Sequence, residues 1–356
     1  MLQGTIESSG VGLPGYEVSL YASYTNSSGN WRKLGTRTTD DSGDFSIRYR
    51  LPDAPPQHTQ PLLFVLAENG PAMLASAIGR GPGIDGSVVI NERTTVATGA
   101  AFAQFIDGRR IRGNEYGMIN AVHMAANMAD PETGALGAVL ASLPNADATS
   151  TMATFNSLAN IVAGCVLDRI HCVAMFAAAT PGGGMVPTTV LQALANITKY
   201  AGAVKVGKLF TLSFENAVYG PMLADDEEPA SWLLFIKFTG GFYSEYDYTN
   251  LMSGPGNVAF DKRGFAWIND NYVPTPELQL SCAGLRLMQF YPWGESFPGS
   301  PYFGGGLSGA GFGISVDRHG DIWVGNYGFE APVCDGSLPP DPVNKIPATH
   351  DSVSLF

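Results

Sequence analysis

The residues best placed to do chemistry are two aspartates that recur in two similar segments. The segment NVAFDKRGFAWINDNY (257–272) aligns with GISVDRHGDIWVGNYG (313–328) at an offset of 56 residues. The aligned positions that share a residue type are Asp261 with Asp317, Gly264 with Gly320, and Trp267 with Trp323. An aspartate can act as a general base or ligate a cation, and it can also cap a tight turn that glycine completes. Because a residue repeated in every copy of a unit serves that unit, we predict that both aspartates cap turns.

Other titratable groups form no recognisable catalytic or metal-binding pattern. The chain has no Walker loop, no G-x-S-x-G, no H-E-x-x-H and no dinucleotide fingerprint after a strand. His123 and Glu115 lie near a group of arginines at 109–112, where a polar site is conceivable but a structural or surface role is favoured. The acidic residues of ADDEEPA (224–230) could attract a cation, although their solvated composition favours a linker. We therefore predict no resident metal or cofactor.

The four cysteines fall into two pairs. Cys165 and Cys172 lie seven positions apart, and in one continuous helix they would be about 10 Å from each other, too far to bridge. A helix break near Asp168 would bring them within reach. Cys282 and Cys334 follow the tryptophans of the two aligned segments, in loop insertions that would leave adjacent sheets on the same face. This arrangement predicts two disulfides and an oxidising compartment, with zinc binding as the alternative.

Whole-chain composition narrows the class of protein. With 356 residues the chain is long enough for two or three domains. Its 43 glycines, 24 prolines and charged fraction of 15% suit a globular protein rich in turns and strands. A net charge of -12 disfavours nucleic-acid binding, and no apolar run is long enough to span a bilayer. The opening MLQGTIESSG lacks the features of a secretory signal and reads almost as the middle of a strand, so we expect a segment upstream.

Residues 1–70 show the period-2 alternation that is typical of β-strands. Val18 and Leu20 belong to one strand, and Phe45 and Ile47 to another, with the acidic turn DDSGD just before Phe45. This pattern resembles the carboxypeptidase regulatory-like and collagen-adhesin B-type sandwiches, although LPG stands where P-L-x-G is usual. The resemblance implies a small all-β sandwich.

Alanine-rich segments with apolar residues three or four positions apart predict a helical domain across 92–202. Thr94 and Thr95 precede the first of these segments and suit its N-terminal cap. The many asparagines of NAVHMAANM and NSLANIVAGC are expected to form hydrogen bonds between helices. Linkers are predicted on either side of this domain, at 71–91 and 203–229.

The two aligned segments in the last third predict blades of a β-propeller. Each combines an apolar strand, a D-x-x-G turn and a tryptophan. A further segment follows each of them, and these segments, LRLMQF (285–290) and DSVSLF (351–356), resemble each other. Repetition of this kind is typical of propellers built from four-stranded blades. The pattern resembles NHL-repeat and virginiamycin-B-lyase-like propellers over 230–356, which implies tryptophans packed between neighbouring blades. Because two blades cannot close a ring, we expect this propeller to be incomplete, with about two blades and the start of another.

The sequence therefore predicts a multidomain fold, with a small all-β sandwich, an alanine-rich helical middle and a partial β-propeller. The order of these parts is similar to secreted bacterial NHL-repeat proteins, which implies a secreted or cell-surface protein that binds or scaffolds a glycan or a protein. Aromatic side chains that suit such ligands are Tyr272, Trp293 and Tyr327. The alternative, implied by resemblance to virginiamycin B lyase and gluconolactonase, is a metal-dependent lyase or lactonase. It is the weaker hypothesis, because His319 lies in a turn rather than at a propeller axis.

Overall fold

A computed structural model divides the chain into two units, Met1–Lys237 (unit 1) and Phe238–Phe356 (unit 2). The residues that the structure describes are 1–24, 31–51, 61–80, 87–238, 254–270, 272–274, 281–284, 286–307, 310–326 and 352–356. Small sheets, most of them antiparallel, and six helices make up this described part of the chain. Within it, no helix has the length and apolar character needed to cross a membrane.

Unit 1 contains both strands and helices. Its strands are β1 (Leu2–Ser8), β2 (Val11–Gly12), β3 (Glu17–Ser23), β4 (Trp31–Thr38), β5 (Asp44–Ile47), β6 (Leu62–Asn69), β7 (Ala72–Arg80), β8 (Ser87–Ile90), β9 (Ile106–Asp107) and β10 (Arg110–Ile111). Its helices are α1 (Glu92–Ala101), α2 (Glu115–Met128), α3 (Thr151–Leu167), α4 (Arg169–Ala178), α5 (Val190–Lys199) and α6 (Val206–Glu215).

Two four-stranded sheets carry the first 90 residues. One sheet has the order β4-β3-β6-β7 and is antiparallel throughout. In the other, β1 pairs antiparallel with β2 and β5 and parallel with β8. Val18, Leu20, Phe45 and Ile47 are all buried, as the alternation predicts.

Strand β7 and helix α1 join the sheets to the helices, where the sequence predicted a linker. The hydroxyl oxygens of Thr95 and Thr98 accept the backbone N–H groups of Ala75 and Ala77, at 2.9 and 3.0 Å. Two side chains of the helix thereby accept hydrogen bonds from backbone N–H groups at the outer edge of the sheet, which would otherwise need another strand or water. The β-rich and helical parts consequently share one hydrophobic core.

Because the sheets and the helices share one core, the predicted boundaries of the linkers and domains differ from those in the structure. Residues 71–91 hold β7 and β8, and residues 203–229 hold α6. Trp232 is buried in the core of unit 1, so the division between the units falls after Lys237 rather than before residue 230.

Helix α1 begins with a reciprocal cap centred on Asn91. The Asn91 side chain accepts the backbone N–H of Thr94, and the Thr94 hydroxyl accepts the backbone N–H of Asn91. Thr94 therefore completes the cap rather than providing it, and Thr95 binds the sheet. On α3, the buried Asn156 and Asn160 donate to the backbone carbonyls of the 216–224 segment. These asparagines bind α3 to the segment after α6, rather than to another helix as the sequence predicted.

A disulfide joins Cys165 and Cys172 across a break between two helices. Helix α3 ends at Leu167, Asp168 has extended backbone angles, and its carboxylate caps α4 by accepting the backbone N–H of Ile170 at 2.9 Å. The two Cα atoms lie 4.3 Å apart. This is the geometry expected from a break near Asp168. The structure does not describe the side chain of Cys282 or any part of Cys334, so their predicted pairing lies outside the described residues.

The disulfide is expected to stabilise this helix junction. Replacing both Cys165 and Cys172 with serine should lower the free energy of unfolding by about 2 kcal/mol, because the unfolded chain regains the entropy of a short loop. Reduction and alkylation of the denatured protein, followed by intact-mass measurement, counts the bonds. A chain that gains four alkyl groups without reduction would contradict the assignment, because the bond would be absent.

Unit 2 is built from short strands. They are β11 (Pro255–Phe260), β12 (Ala266–Asp270), β13 (Tyr272–Pro274), β14 (Ser281–Ala283), β15 (Arg286–Phe290), β16 (Tyr302–Phe303), β17 (Ala310–Val316), β18 (Ile322–Asn326) and β19 (Ser352–Leu355). One sheet has the order β11-β12-β15-β16, which we call the first repeat sheet. Another has the order β17-β18-β19, which we call the second repeat sheet. Strands β13 and β14 form a separate two-stranded ribbon.

The two repeat sheets have the same pairing, position by position. In the hairpins, Ala259 pairs with Trp267 and Ser315 pairs with Trp323, which preserves the offset of 56 residues. Both hairpins also have a register irregularity before the turn, between Pro255 and Val258 and between Ala310 and Ile314. On the other side of the hairpin, the third strands pair Trp267 with Gln289 and Trp323 with Leu355. The similarity of LRLMQF to DSVSLF therefore corresponds to equivalent third strands.

Apolar side chains of both repeat sheets meet in a small core. Leu287 of the first sheet and Ile322 and Val324 of the second are fully or almost fully buried, and Leu307 of the connecting segment joins them. The Asn257 side chain also donates to the backbone carbonyl of Phe312, at 3.0 Å. The sheets thus pack against each other within unit 2. The described residues do not form a closed barrel or ring, so the β-propeller remains a prediction.

The tryptophans of the two hairpins are less buried than the resemblance implied. Trp267 is half-buried and stacks on Tyr302, with ring centroids 5.6 Å apart. Trp323 is 40% exposed. The expectation that both lie in a core between blades is wrong for Trp323, because its indole lies over its own turn and donates to Asp317.

Candidate functional site

Each repeated aspartate accepts hydrogen bonds from its own turn. Asp317 Oδ1 accepts the backbone N–H groups of residues 319, 320 and 321, at 2.8 to 3.0 Å, and Oδ2 accepts the Trp323 indole N–H at 3.3 Å. Asp261 is bound in the same way by two backbone N–H groups and by the indole of Trp267, at 3.4 Å. These are the contacts of turn-capping aspartates, with both carboxylate oxygens already engaged.

The turn glycines have the backbone conformation that the turn requires. Gly264 and Gly320 have φ values of +85° and +98°, which side chains with a Cβ rarely adopt. The repeated Asp-Gly-Trp set therefore explains the shape of the hairpin and leaves no repeated group for catalysis.

The hydrogen bonds change the pKa of Asp317. Desolvation raises this pKa, but hydrogen bonds from Trp323 and from the backbone N–H groups of residues 319–321 outweigh it, so the net pKa lies below the ordinary value of 3.8. A carboxyl whose pKa is lowered by folding stabilises the fold above its unfolded pKa and loses that contribution as the pH falls through the folded value. The second hairpin should therefore weaken only in acid, below pH 3.8.

Removing the first turn cap is expected to destabilise the first hairpin. Asp261→Ala should lower its local free energy of unfolding by about 1 kcal/mol, because the turn N–H groups lose their acceptor. Asp261→Asn keeps an acceptor oxygen and should cost less. Hydrogen exchange of the 255–270 peptide measures both variants. Equal protection in the wild type and in Asp261→Ala would contradict the capping role.

Beyond the turns, a polar pair links the second and third strands of each repeat sheet at the same place. In the first sheet, Asp270 Oδ2 lies 2.6 Å from both Nε and Nη2 of Arg286, and both side chains are buried. In the second sheet, the equivalent residues are Asn326 and Ser352, whose side chains are 3.0 Å apart. The position is thus polar in both sheets, but it is charged in only one.

An aromatic cluster lies at the turn end of the first repeat sheet. Phe265 packs against Tyr291 and Phe297, with ring centroids 5.3 and 5.6 Å apart. Trp293 stacks on Tyr291 at 4.5 Å with an interplanar angle of 11°, and its indole N–H donates to Glu295 at 3.0 Å. Stacking and the hydrogen bond together fix the orientation of the half-buried indole.

An arginine and a glycine adjoin this aromatic cluster. The Arg263 guanidinium lies over the Phe265 ring at 4.7 Å, a cation–π contact. Gly294 has a φ of +93°, and a Cβ at this position would lie 2.1 Å from the ring of Phe238. Glycine therefore suits position 294, because a side chain there would meet the Phe238 ring. At the aligned positions of the second hairpin, His319 and Asp321 replace Arg263 and Phe265, so these two members of the cluster are not repeated.

Of the three predicted ligand-binding aromatics, the two whose backbone is described follow opposite ends of the first repeat sheet. Trp293 follows β15, at the end of the sheet where the hairpin turns, whereas Tyr272 follows β12 at the opposite end. A five-residue strand separates these ends by roughly 17 Å. Only the backbone of Tyr272 is described, and Tyr327 lies outside the described residues. Trp293 is therefore the member of the set with a described side-chain environment.

The other titratable residues noted in the sequence have structural contacts. The arginines near His123 pair elsewhere, Arg109 with Glu68 at 2.6 Å and Arg112 with Asp107 at 3.4 Å. In the acidic segment, Glu227 accepts the backbone N–H of Ala224 at 2.9 Å. Across the described ranges, no group of three or more His, Cys, Asp or Glu side chains is arranged to hold a metal ion.

Sequence reasoning missed a buried carboxylate at the start of α1. Glu92 is fully buried, and Ser8 donates to its Oε1 while the Tyr219 hydroxyl donates to its Oε2 at 2.5 Å. Burial raises the pKa of Glu92, and the hydrogen bonds only partly offset that effect. Burial, followed by the charge of Glu92, raises the pKa of Tyr16 to about 12. The Arg93 guanidinium lies over the Tyr219 ring at 4.5 Å.

The Glu92 network connects three distant parts of unit 1 and does not line either of the cavities described below. Ser8 comes from β1, Glu92 from α1, and Tyr219 from the segment after α6. No short motif could have identified it, because the partners are 84 and 127 positions away in the sequence. Its geometry fits a structural junction rather than a catalytic site.

No protein-family profile, curated protein or solved structure matches this chain. The resemblances to NHL-repeat propellers and to carboxypeptidase regulatory-like sandwiches therefore have no support from relatives.

Proposed function

We propose that this chain is a binding protein, secreted or exposed at the cell surface, whose unit 2 contributes propeller blades and binds a glycan at the aromatic cluster. The observation that carries the proposal is the contrast between repeated and unrepeated residues in the repeat sheets. The repeated Asp, Gly and Trp are engaged in the turns, whereas Arg263 and Phe265 of the aromatic cluster have His319 and Asp321 at the aligned positions of the second hairpin.

The equivalence of the two repeat sheets supports the propeller part of the proposal. Their hairpins share the same offset, the same capping contacts and the same register irregularity, and their apolar faces pack together. Successive blades of a propeller have these relations. The disulfide of unit 1 supports an oxidising compartment, since such bonds are rare in reducing ones.

The chemistry of the aromatic cluster favours a sugar over a charged ligand. A sugar ring offers an apolar C–H face, which stacks on an aromatic ring, and hydroxyl groups, which bind carboxylate and guanidinium groups. The stacked Trp293 supplies the aromatic surface, and Glu295 and Arg263 supply hydrogen-bonding groups nearby. Because Tyr291 and Glu295 already orient the indole, little entropy is lost when a ligand binds.

The proposal is tested by titrating the intact chain with a panel of soluble oligosaccharides in a calorimeter. For the best ligand, Trp293→Ala should weaken binding about tenfold or more, because aromatic anchors carry a large share of binding energy. Trp323→Ala is the matched control, since it removes a partly exposed tryptophan from the equivalent turn region, and it should retain the affinity. Equal effects of both variants would overturn the assigned site.

Titrations with peptides and assays for turnover, beside the oligosaccharide titration, separate glycan binding from the other hypotheses. Absence of binding to every oligosaccharide, or binding to peptides alone, would overturn the glycan assignment. Turnover of a lactone or a cyclic depsipeptide would favour the metal-dependent lyase or lactonase alternative.

A further inference from the structure

We propose that unit 1 has a second binding site, for a short peptide that ends in a free carboxylate, in the groove between α1, α2 and α5. The groove encloses a volume of about 690 Å³. A second cavity of about 390 Å³ lies beside it, and both are lined by Lys199 and Tyr200. Volumes of this size accommodate small ligands.

The lining of the groove combines apolar surface with amide groups. Small residues such as Ala100, Ala121 and Gly117 leave the space open, and Phe105 and Met124 provide larger apolar surface. Carboxamides face the same region from three elements: Gln104 follows α1, Asn120 lies on α2, and Asn196 lies on α5 beside the second cavity. A carboxamide offers one acceptor and two donors, which matches the needs of a peptide backbone.

These carboxamides are available to a ligand. Among the described residues, the side chains of Gln104, Asn120 and Asn196 have no hydrogen-bond partner, whereas the asparagines on α3 are fully used in packing. The contrast separates structural asparagines from those that can serve a site.

The charges at the groove favour a single carboxylate on the ligand. Lys199 is exposed, lines both cavities and forms no ion pair with another described residue. Asp107, an acidic residue that lines the second cavity, is paired with Arg112 at 3.4 Å. One cation suits a carboxylate, whereas a polyphosphate would need several.

Exposed apolar residues at the rim are a second observation that points to a ligand. Met185 and Val186 belong to the loop between α4 and α5 and are 89% and 60% exposed. Both residues line the second cavity. Exposed apolar side chains at the edge of a cavity are typical of binding sites, and here they would cover the apolar residues of the peptide.

The proposal is tested with the intact chain and two probes: the acetylated tripeptide Ala-Val-Leu with a free carboxylate, and the same tripeptide as its carboxamide. The acid should bind about tenfold more tightly than the amide, as expected for a charged hydrogen bond of about 1.5 kcal/mol. Lys199→Met should remove that difference, and Lys208→Met, which changes an exposed lysine outside the groove, should preserve it. Isothermal calorimetry measures the affinity of both probes for the wild type and for both variants.

A purely structural role of Lys199 gives a different result. In that case, the positive charge of Lys199 in the last turn of α5 would stabilise the helix through its dipole. Lys199→Met would then lower the melting temperature without changing peptide binding. Ala121→Leu, which fills the groove, should abolish binding of both probes. If this variant fails to fold, hydrogen exchange of the wild type decides the question, because the acid should protect residues 100–124 and 188–200. Equal binding of the two probes, no binding, or protection elsewhere would overturn the proposal.

Discussion

Replacing Asp270 with alanine is expected to lower the free energy of unfolding of unit 2 by about 3 to 5 kcal/mol. The Asp270 carboxylate is fully buried, lies 2.6 Å from Arg286, and also accepts the backbone N–H of Gly254 at 2.8 Å. Without it, the buried guanidinium loses the counter-charge that Asp270 provides. A charge left in this position costs more than the intact pair contributes.

The second repeat sheet provides the control for this prediction. Asp270→Asn combined with Arg286→Ser reproduces the neutral Asn326–Ser352 pair in the first sheet. Because the double variant leaves no unpaired charge, it should lose much less stability than the sum of the two single variants. Hydrogen exchange of peptides from unit 2 measures the effect, and peptides from unit 1 serve as an internal reference. If the double variant is as unstable as the sum, the two positions are not equivalent.

Features that depend on neighbouring residues could be predicted from the sequence. The hairpin turns follow from an aspartate, a glycine and a tryptophan within six positions of one another, because all their contacts form inside the turn. The proximity of Cys165 and Cys172 follows from helix geometry, since only a break near Asp168 lets them meet. Such local constraints leave the chain few alternative conformations at these positions.

Features that depend on tertiary packing could not be predicted in the same way. The sequence of β7, AMLASAIGR, contains few β-branched residues, so its pattern does not predict a strand. Its outer edge is bound by Thr95 and Thr98 of α1, a contact that only the folded structure shows. Trp293 was identified by residue type, but the Tyr291 ring on which it stacks also packs against Phe265, which comes from the hairpin turn. The groove in unit 1 depends on three helices and has no sequence signature.

A second large effect is expected at Glu92, at the junction of the sheets and the helices. Glu92→Ala should lower the free energy of unfolding of unit 1 by about 2 to 5 kcal/mol, because the buried hydroxyl groups of Ser8 and Tyr219 lose their acceptor. Glu92→Gln keeps an acceptor for Tyr219 and a donor for Ser8, so it should be tolerated far better. Chemical denaturation, followed by hydrogen exchange of unit 1 peptides, measures both variants.

The pH dependence distinguishes a buried carboxylate from a solvated one at this position. Folding raises the pKa of Glu92 above its ordinary value of 4.5, so its contribution to stability is complete below pH 4.5 and is lost as the pH rises through the folded value. The wild type should therefore lose stability relative to Glu92→Gln as the pH rises from 4.5 towards neutrality. If the wild type and Glu92→Gln lose stability in parallel, Glu92 is solvated in the folded protein, and the junction must be held by its other contacts.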